Sequence, residues 1–192
     1  TTRTKGSTVA DVTAQAKAFL RAGTLGRNVF VVQTLNELPP GKVNRSKLDG
    51  TTQGVAVFDG KGGRQVYLIA GQIAPGKTKA VFLHEVGAHI GLEQMLSPAD
   101  FKALVSQIAR WAREGRAKDG TTESMTTEQR LAWEAFRRVT AAKTVPEDQV
   151  SELLAYFIEE AVDAGIDPTA ASDINGPLRQ WFRTLWSAFK KA

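Results

Sequence analysis

The sequence predicts an α+β fold: a small N-terminal sheet followed by a mostly helical C-terminal part. Three observations lead there. Runs rich in β-branched residues, broken by Gly and Pro, fall between residues 28 and 70. Beyond residue 97 the apolar residues recur at helical spacing instead. Strands come first and helices after, which is the order of an α+β layout rather than of alternating βαβ units.

The elements follow in order. STVADVTAQAKAFLRAGTLG reads as an opening helix, capped by Ser7 or Thr8 and ended by Gly23 or Gly26. NVFVVQTL reads as a strand. NELPPGKVNRSKLDGTTQG is polar and punctuated by Pro and Gly, so it reads as a loop. GVAVFDGKGGRQVYLIAG reads as a hairpin, with Val55, Val57 and Phe58 on one arm, Val66, Leu68 and Ile69 on the other, and DGKGG at the turn. SPADFKALVSQIARWARE carries the marks of a helix start: Ser97 as N-cap, Pro98 at the first helical position and Asp100 in the first turn. REGRAKDGTTESM reads as a linker. TTEQRLAWEAFRRVTAA is an amphipathic helix beginning at Thr126. PEDQVSELLAYFIEEAVDAG is a long helix begun by Pro146 and stopped by Gly165, with Val150, Leu153, Leu154, Phe157 and Ile158 in the core. NGPLRQWFRTLWSAFKKA closes the chain with a stripe of Leu178, Trp181, Phe182, Leu185, Trp186 and Phe189, opposite Arg179, Arg183, Lys190 and Lys191. The expected domains are 1–174 and an amphipathic helix, 175–192, packed on it or used for a partner.

Composition narrows the chemistry. The 192 residues suffice for one domain and a sizeable core. There is no cysteine, so any metal must be held by His, Asp or Glu. The net charge of +5 is mild; it can attract nucleic acid or an anionic membrane, but its plainer reading is solubility. No apolar run approaches the length of a bilayer span, and no secretory signal is visible. The sequence starts at Thr rather than Met, which suggests a processed product or a piece of a longer chain.

The chemistry concentrates in AVFLHEVGAHIGLEQML, which holds both histidines of the chain, His84 and His89, with Glu85 beside the first. In the zinc-peptidase signature H-E-x-x-H the two histidines share one face of a helix and one metal ion. Here the second arrives one residue late. Five steps of a regular helix rotate about 140°, against about 40° from alignment for four steps. Two such imidazoles reach one ion only if the helix deforms, by a π-bulge or by loosening at Gly87. The plainer reading is a solvated stripe of Glu85, His89 and Glu93, with Val81, Val86, Ile90 and Leu92 buried. A third ligand is expected from SELLAYFIEE: Glu152, with Glu159 as substitute. Ala155, one turn from Glu152, would let that helix approach the helix of His84 closely. The plainer reading of Glu152 and Glu159 is as surface carboxylates.

HEVGAH has the length of the H-E-x-x-G-H variant of dipeptidyl-peptidase III, whose second histidine is also a step late. The wider pattern resembles the zincin-like metallopeptidase domains within large polyvalent proteins of phages and mobile elements. In those, a VYLIA-type strand leads by a short loop into LHEVGxHxGL, and an EELLAY-type helix follows. QVYLIAGQIAPGKTKAVFLHEVGAHIGL and SELLAYFIEE are the matching pieces, and the resemblance covers roughly residues 28 to 165. It implies a zincin-like fold with an edge strand beside the active-site helix, able to bind an extended peptide. It implies Zn2+ on His84, His89 and Glu152, with Glu85 as general base. Tyr156 is a further candidate, as a helper for the developing oxyanion. The sequence departs from the pattern at Ala88, where glycine is usual, with Gly87 one place earlier. The implied partners are a peptide or protein substrate and other virion proteins. The implied setting is a phage virion or the bacterial cytoplasm after injection. Two rival readings remain open. One is an inactive zincin-like structural module of a phage particle. The other, less favoured, is a nucleic-acid or membrane surface bound through the basic C-terminal helix.

Overall fold

The computed structural model describes residues 6–19, 28–41, 43, 48–58, 64–85, 96–146, 148–167 and 176–191. It is an α+β chain with a three-stranded sheet followed by a helical remainder. Contacts group it into two compact units, Thr1–Ile90 and Gly91–Lys191.

In the first unit, α1 (Val9–Phe19) precedes β1 (Val29–Val32), β2 (Gly54–Phe58), β3 (Arg64–Ile69) and α2 (Thr78–Glu85). Of the two expected caps for α1, Thr8 serves: its hydroxyl accepts the Asp11 backbone N–H at 3.2 Å. The sheet order is β1-β3-β2, with β1 parallel and β2 antiparallel to β3. The two arms of the expected hairpin are therefore present; its turn, 59–63, lies outside the described residues.

Strand alternation then sorts the side chains. One face carries Val57, Tyr67 and Ile69, which pack with Leu38, Val32, Leu35, Val43, Leu48 and Val55. The long loop after β1 is thus polar in composition but sends its few apolar side chains down onto the sheet. Its one regular piece is a 3-10 turn at Leu35–Glu37. Phe30 stacks on Tyr67 across the parallel pair, with ring centroids 5.1 Å apart. The opposite face carries Val66 and Leu68, both fully buried, and Gly54 and Ala56. That is the face towards α2, because the missing side chain of Gly54 points at Glu85.

The second unit contains α3 (Pro98–Lys118), α4 (Thr127–Ala141), α5 (Gln149–Asp163) and α6 (Gly176–Lys191). Ser97 caps α3 as expected, accepting the Asp100 N–H. Thr126 caps α4, and the reciprocal partner is Gln129, which completes a capping box. Three expectations are corrected. The stretch REGRAKDGTTESM is not all linker, since α3 continues through Gly115 to Lys118. The glycine is there for contact: a Cβ would come within 2.6 Å of the Gln129 carbonyl oxygen, so α4 crosses α3 at that point. Val150 is not a core residue; it is 40% exposed, while Leu153, Leu154, Phe157 and Ile158 are buried as expected. α5 starts at Gln149 rather than at Pro146, and it stops at Gly165, whose φ of 80° closes the last turn.

The aromatic stripe of α6 is used inside its own unit. Leu178, Trp181, Phe182 and Leu185 are buried. The Trp181 indole N–H donates to the Leu104 carbonyl at 3.1 Å, and Phe157 meets the rings of Trp181 and Phe182. Trp186 is only half-buried and Arg183 is exposed; the side chains of Phe189, Lys190 and Lys191 lie outside the described residues. No described helix is long and apolar enough to cross a membrane.

Candidate functional site

α2 differs from the helices of the second unit in its burial. Thr78, Ala80, Val81, Phe82, Leu83 and Glu85 are all buried, so the helix has little solvent face. A helix apolar around most of its circumference is a core helix. Glu85 is thus a carboxylate carried on a mostly buried helix. It is 7% exposed, and with Ser7 and Thr78 it completes the buried polar residues among those described. This overturns the solvated-stripe reading for Glu85, although Val81 is buried as that reading also required.

The carboxyl group of Glu85 lies on Gly54, the first residue of β2. A Cβ at Gly54 would overlap the Glu85 side chain, so the close approach requires glycine. His84 precedes Glu85 on α2. It is partly buried, and its Nδ1 is shielded from solvent, as is Oε2 of Glu85.

β2 is an edge strand, and its pairing fixes which backbone groups face outward. The Ile69 N–H donates to the Gln53 carbonyl at 2.8 Å, and the register pairs Gly54 with Leu68 and Val55 with Tyr67. In an antiparallel pair such bonds recur at every second residue. Val55 and Val57 therefore bond to β3, while the N–H and C=O groups of Gly54 and Ala56 point away from it. Among the described residues no strand pairs with that outer edge. The glycine that accommodates Glu85 is also the first outward-facing backbone unit of the edge.

His89 and the Gly87 region, where the helix is expected to deform, fall in 86–95, outside the described residues; so do Val86, Ile90, Leu92 and Glu93. Glu152, Tyr156 and Glu159 lie on α5 in the second unit, at spacings of four and three that put them on one face. Glu152 is in the first turn and half-buried. Glu159 is bound to Arg138 of α4 at 3.0 Å, and the adjacent Glu160 holds the same guanidinium at 2.9 Å. The guanidinium lies 4.2 Å from the centre of the Tyr156 ring. Burial pulls the Arg138 pKa down, but Glu159 and Glu160 outweigh it and the net shift is upward, so this cation keeps its charge. Ala155 is fully buried. Among the described residues, no three His, Asp or Glu side chains form a group that could hold a metal.

Gly54 is the residue that sequence reasoning missed. A glycine at the start of a β-branched strand is the available signal, since it marks a close backbone approach. Neither a family model, nor a curated protein, nor a solved structure matches the chain.

Proposed function

We propose that the chain is a zincin-like, zinc-dependent metallopeptidase domain, and that it belongs to a phage-encoded protein of the virion or of the injected set. The observation that supports this reading best is the placement of Glu85: a buried carboxylate on a core helix, laid on Gly54 of a strand whose outer edge is unpaired among the described residues. A proton-accepting group and a template for an extended chain are then neighbours.

The donor chemistry fits zinc. His84, His89 and Glu152 supply two imidazoles and a carboxylate, and a chain without cysteine has no softer alternative. His84 would use Nε2, since Nδ1 is shielded. When bound, zinc supplies Lewis acidity that polarises a scissile carbonyl and lowers the pKa of a water towards about 7. The outward N–H and C=O groups of Gly54 and Ala56 bind the substrate backbone by strand addition, which holds it extended. A carboxylate oxygen of Glu85 takes the proton of the attacking water and passes it to the leaving amine nitrogen. Its shielded position keeps bulk water from competing for that proton. Tyr156 remains the candidate helper for the oxyanion.

The test is cleavage of an unfolded protein substrate by the zinc-loaded chain and by Glu85→Gln. General acid–base groups contribute about 10²–10⁴-fold, so the variant should lose at least about a hundredfold in rate while keeping its circular dichroism. Equal cleavage by both proteins, or none by either, would refute the reading.

A further inference from the structure

A pocket of about 280 Å³ opens on the second unit, lined by Ala109, Ala112, Arg113 and Arg116 of α3, Trp133 and Phe136 of α4, and Leu153 of α5. Its chemistry is two-sided. Ala109, Ala112, Arg113 and Arg116 follow one another at helical spacing, so the α3 wall is an alanine floor with two arginines along it. The α4 wall is aromatic: Trp133 and Phe136 stack on each other with centroids 5.7 Å apart and planes 17° from parallel. Phe136 is 39% exposed, unusual for so large an apolar ring. Trp133 is half-buried, yet its Nε1 is fully shielded, so what the indole offers to solvent is ring carbon.

The cations stand out against this wall. Arg110 pairs with Glu114, and Arg138 with Glu159 and Glu160. Among the described residues no carboxylate pairs with Arg113 or Arg116, which are both exposed. A pocket at the bottom of the usual range of about 300–1,000 Å³ takes a group smaller than a drug-sized molecule. The two rings already stack on each other, so no base or other ring can slide between them. An apolar body for the aromatic and alanine walls and an anionic group for the two guanidinium forks satisfy both sides.

We propose that this pocket binds a small carboxylate with an apolar body, either a free branched-chain acid or the carboxyl-terminal apolar residue of a peptide. The proposal is independent of the metallopeptidase reading, because it involves neither His84 nor Glu85.

The test follows the indole N–H signals of the full chain by nuclear magnetic resonance. The chain has four tryptophans, and Trp133→Phe identifies the signal of Trp133. The probes are 4-methylpentanoate, N-acetyl-leucine and, as the uncharged control, N-acetyl-leucine amide. Both acids should shift the Trp133 signal saturably in the millimolar range, and leave those of Trp111 and Trp181 in place. The amide should bind at least about tenfold more weakly, and so should both acids when Arg113→Gln and Arg116→Gln are combined, since one charged contact is worth about that factor. Tighter binding of N-acetyl-leucine than of methylpentanoate would assign the site to a peptide terminus, and the reverse order to a free acid; both support the pocket. No saturable shift, equal binding of acid and amide, or indifference to the paired arginine substitutions would overturn the proposal.

Discussion

Glu85, which is buried, and the pair Glu159–Glu160, which is half-buried, are carboxylates managed in two different ways. On α5, a single guanidinium holds both carboxylates at 2.9–3.0 Å and covers the Tyr156 ring as well. The cluster links α4 to α5, and that link accounts for Arg138, Glu159 and Glu160 without any appeal to a ligand. Around Glu85 of α2, the accommodation is made by a neighbouring strand that gives up a side chain. Gly54 leaves room for the Glu85 carboxyl group at the place where the backbone of β2 turns its hydrogen-bonding groups outward. An ion-pair cage is what a fold needs in order to tolerate carboxylates. A carboxylate fitted into a glycine gap beside an open edge is what a reaction on an extended chain needs.

The sharpest way to break this contrast is Gly54→Ala. The added methyl overlaps the Glu85 carboxyl group, so either the carboxylate or the strand must move. Overpacking of this kind costs about 1–3 kcal/mol. Urea unfolding should show that loss, and peptide cleavage should fall with it. Unchanged stability and activity would mean that the two groups are not in contact. Arg138→Ala should come next, at about 1–2 kcal/mol once the partial exposure of the pair is allowed for. Its cleavage rate should change far less than that of Glu85→Gln, because the cage serves packing. A rate loss as large as that of Glu85→Gln would move the Arg138 cluster into the catalytic machinery. Smallest is Thr126→Ala, which removes the capping box of α4. Thermal denaturation should report about 1 kcal/mol, with no effect on catalysis.

Much of this was legible in the residues. The caps at Ser97 and Thr126, the two strand arms and the stop at Gly165 are local signals, and the structure has each of them. What escaped was set by partners distant in sequence. Gly115 reads as a helix breaker until α4 is seen crossing over it. Val150 fits the apolar period of α5 but falls at its exposed first turn. α2 gives almost no amphipathic signal because it is buried nearly all round, so its short sequence could not say whether Glu85 faces solvent or core. The pairing of Glu85 with Gly54 joins residues 31 positions apart, 85 minus 54, and no local pattern encodes it.

Metal content tests the central claim most directly. The full chain would be loaded with zinc, dialysed and assayed by elemental analysis beside Glu85→Gln, His84→Ala and His89→Ala, each checked for an unchanged circular dichroism spectrum. The account predicts about one zinc per chain in the wild type and in Glu85→Gln, and less than about a tenth of that in either histidine variant, since a site of three protein ligands does not survive the loss of one. A wild-type chain that retains no zinc, or zinc that stays in either histidine variant, would contradict it.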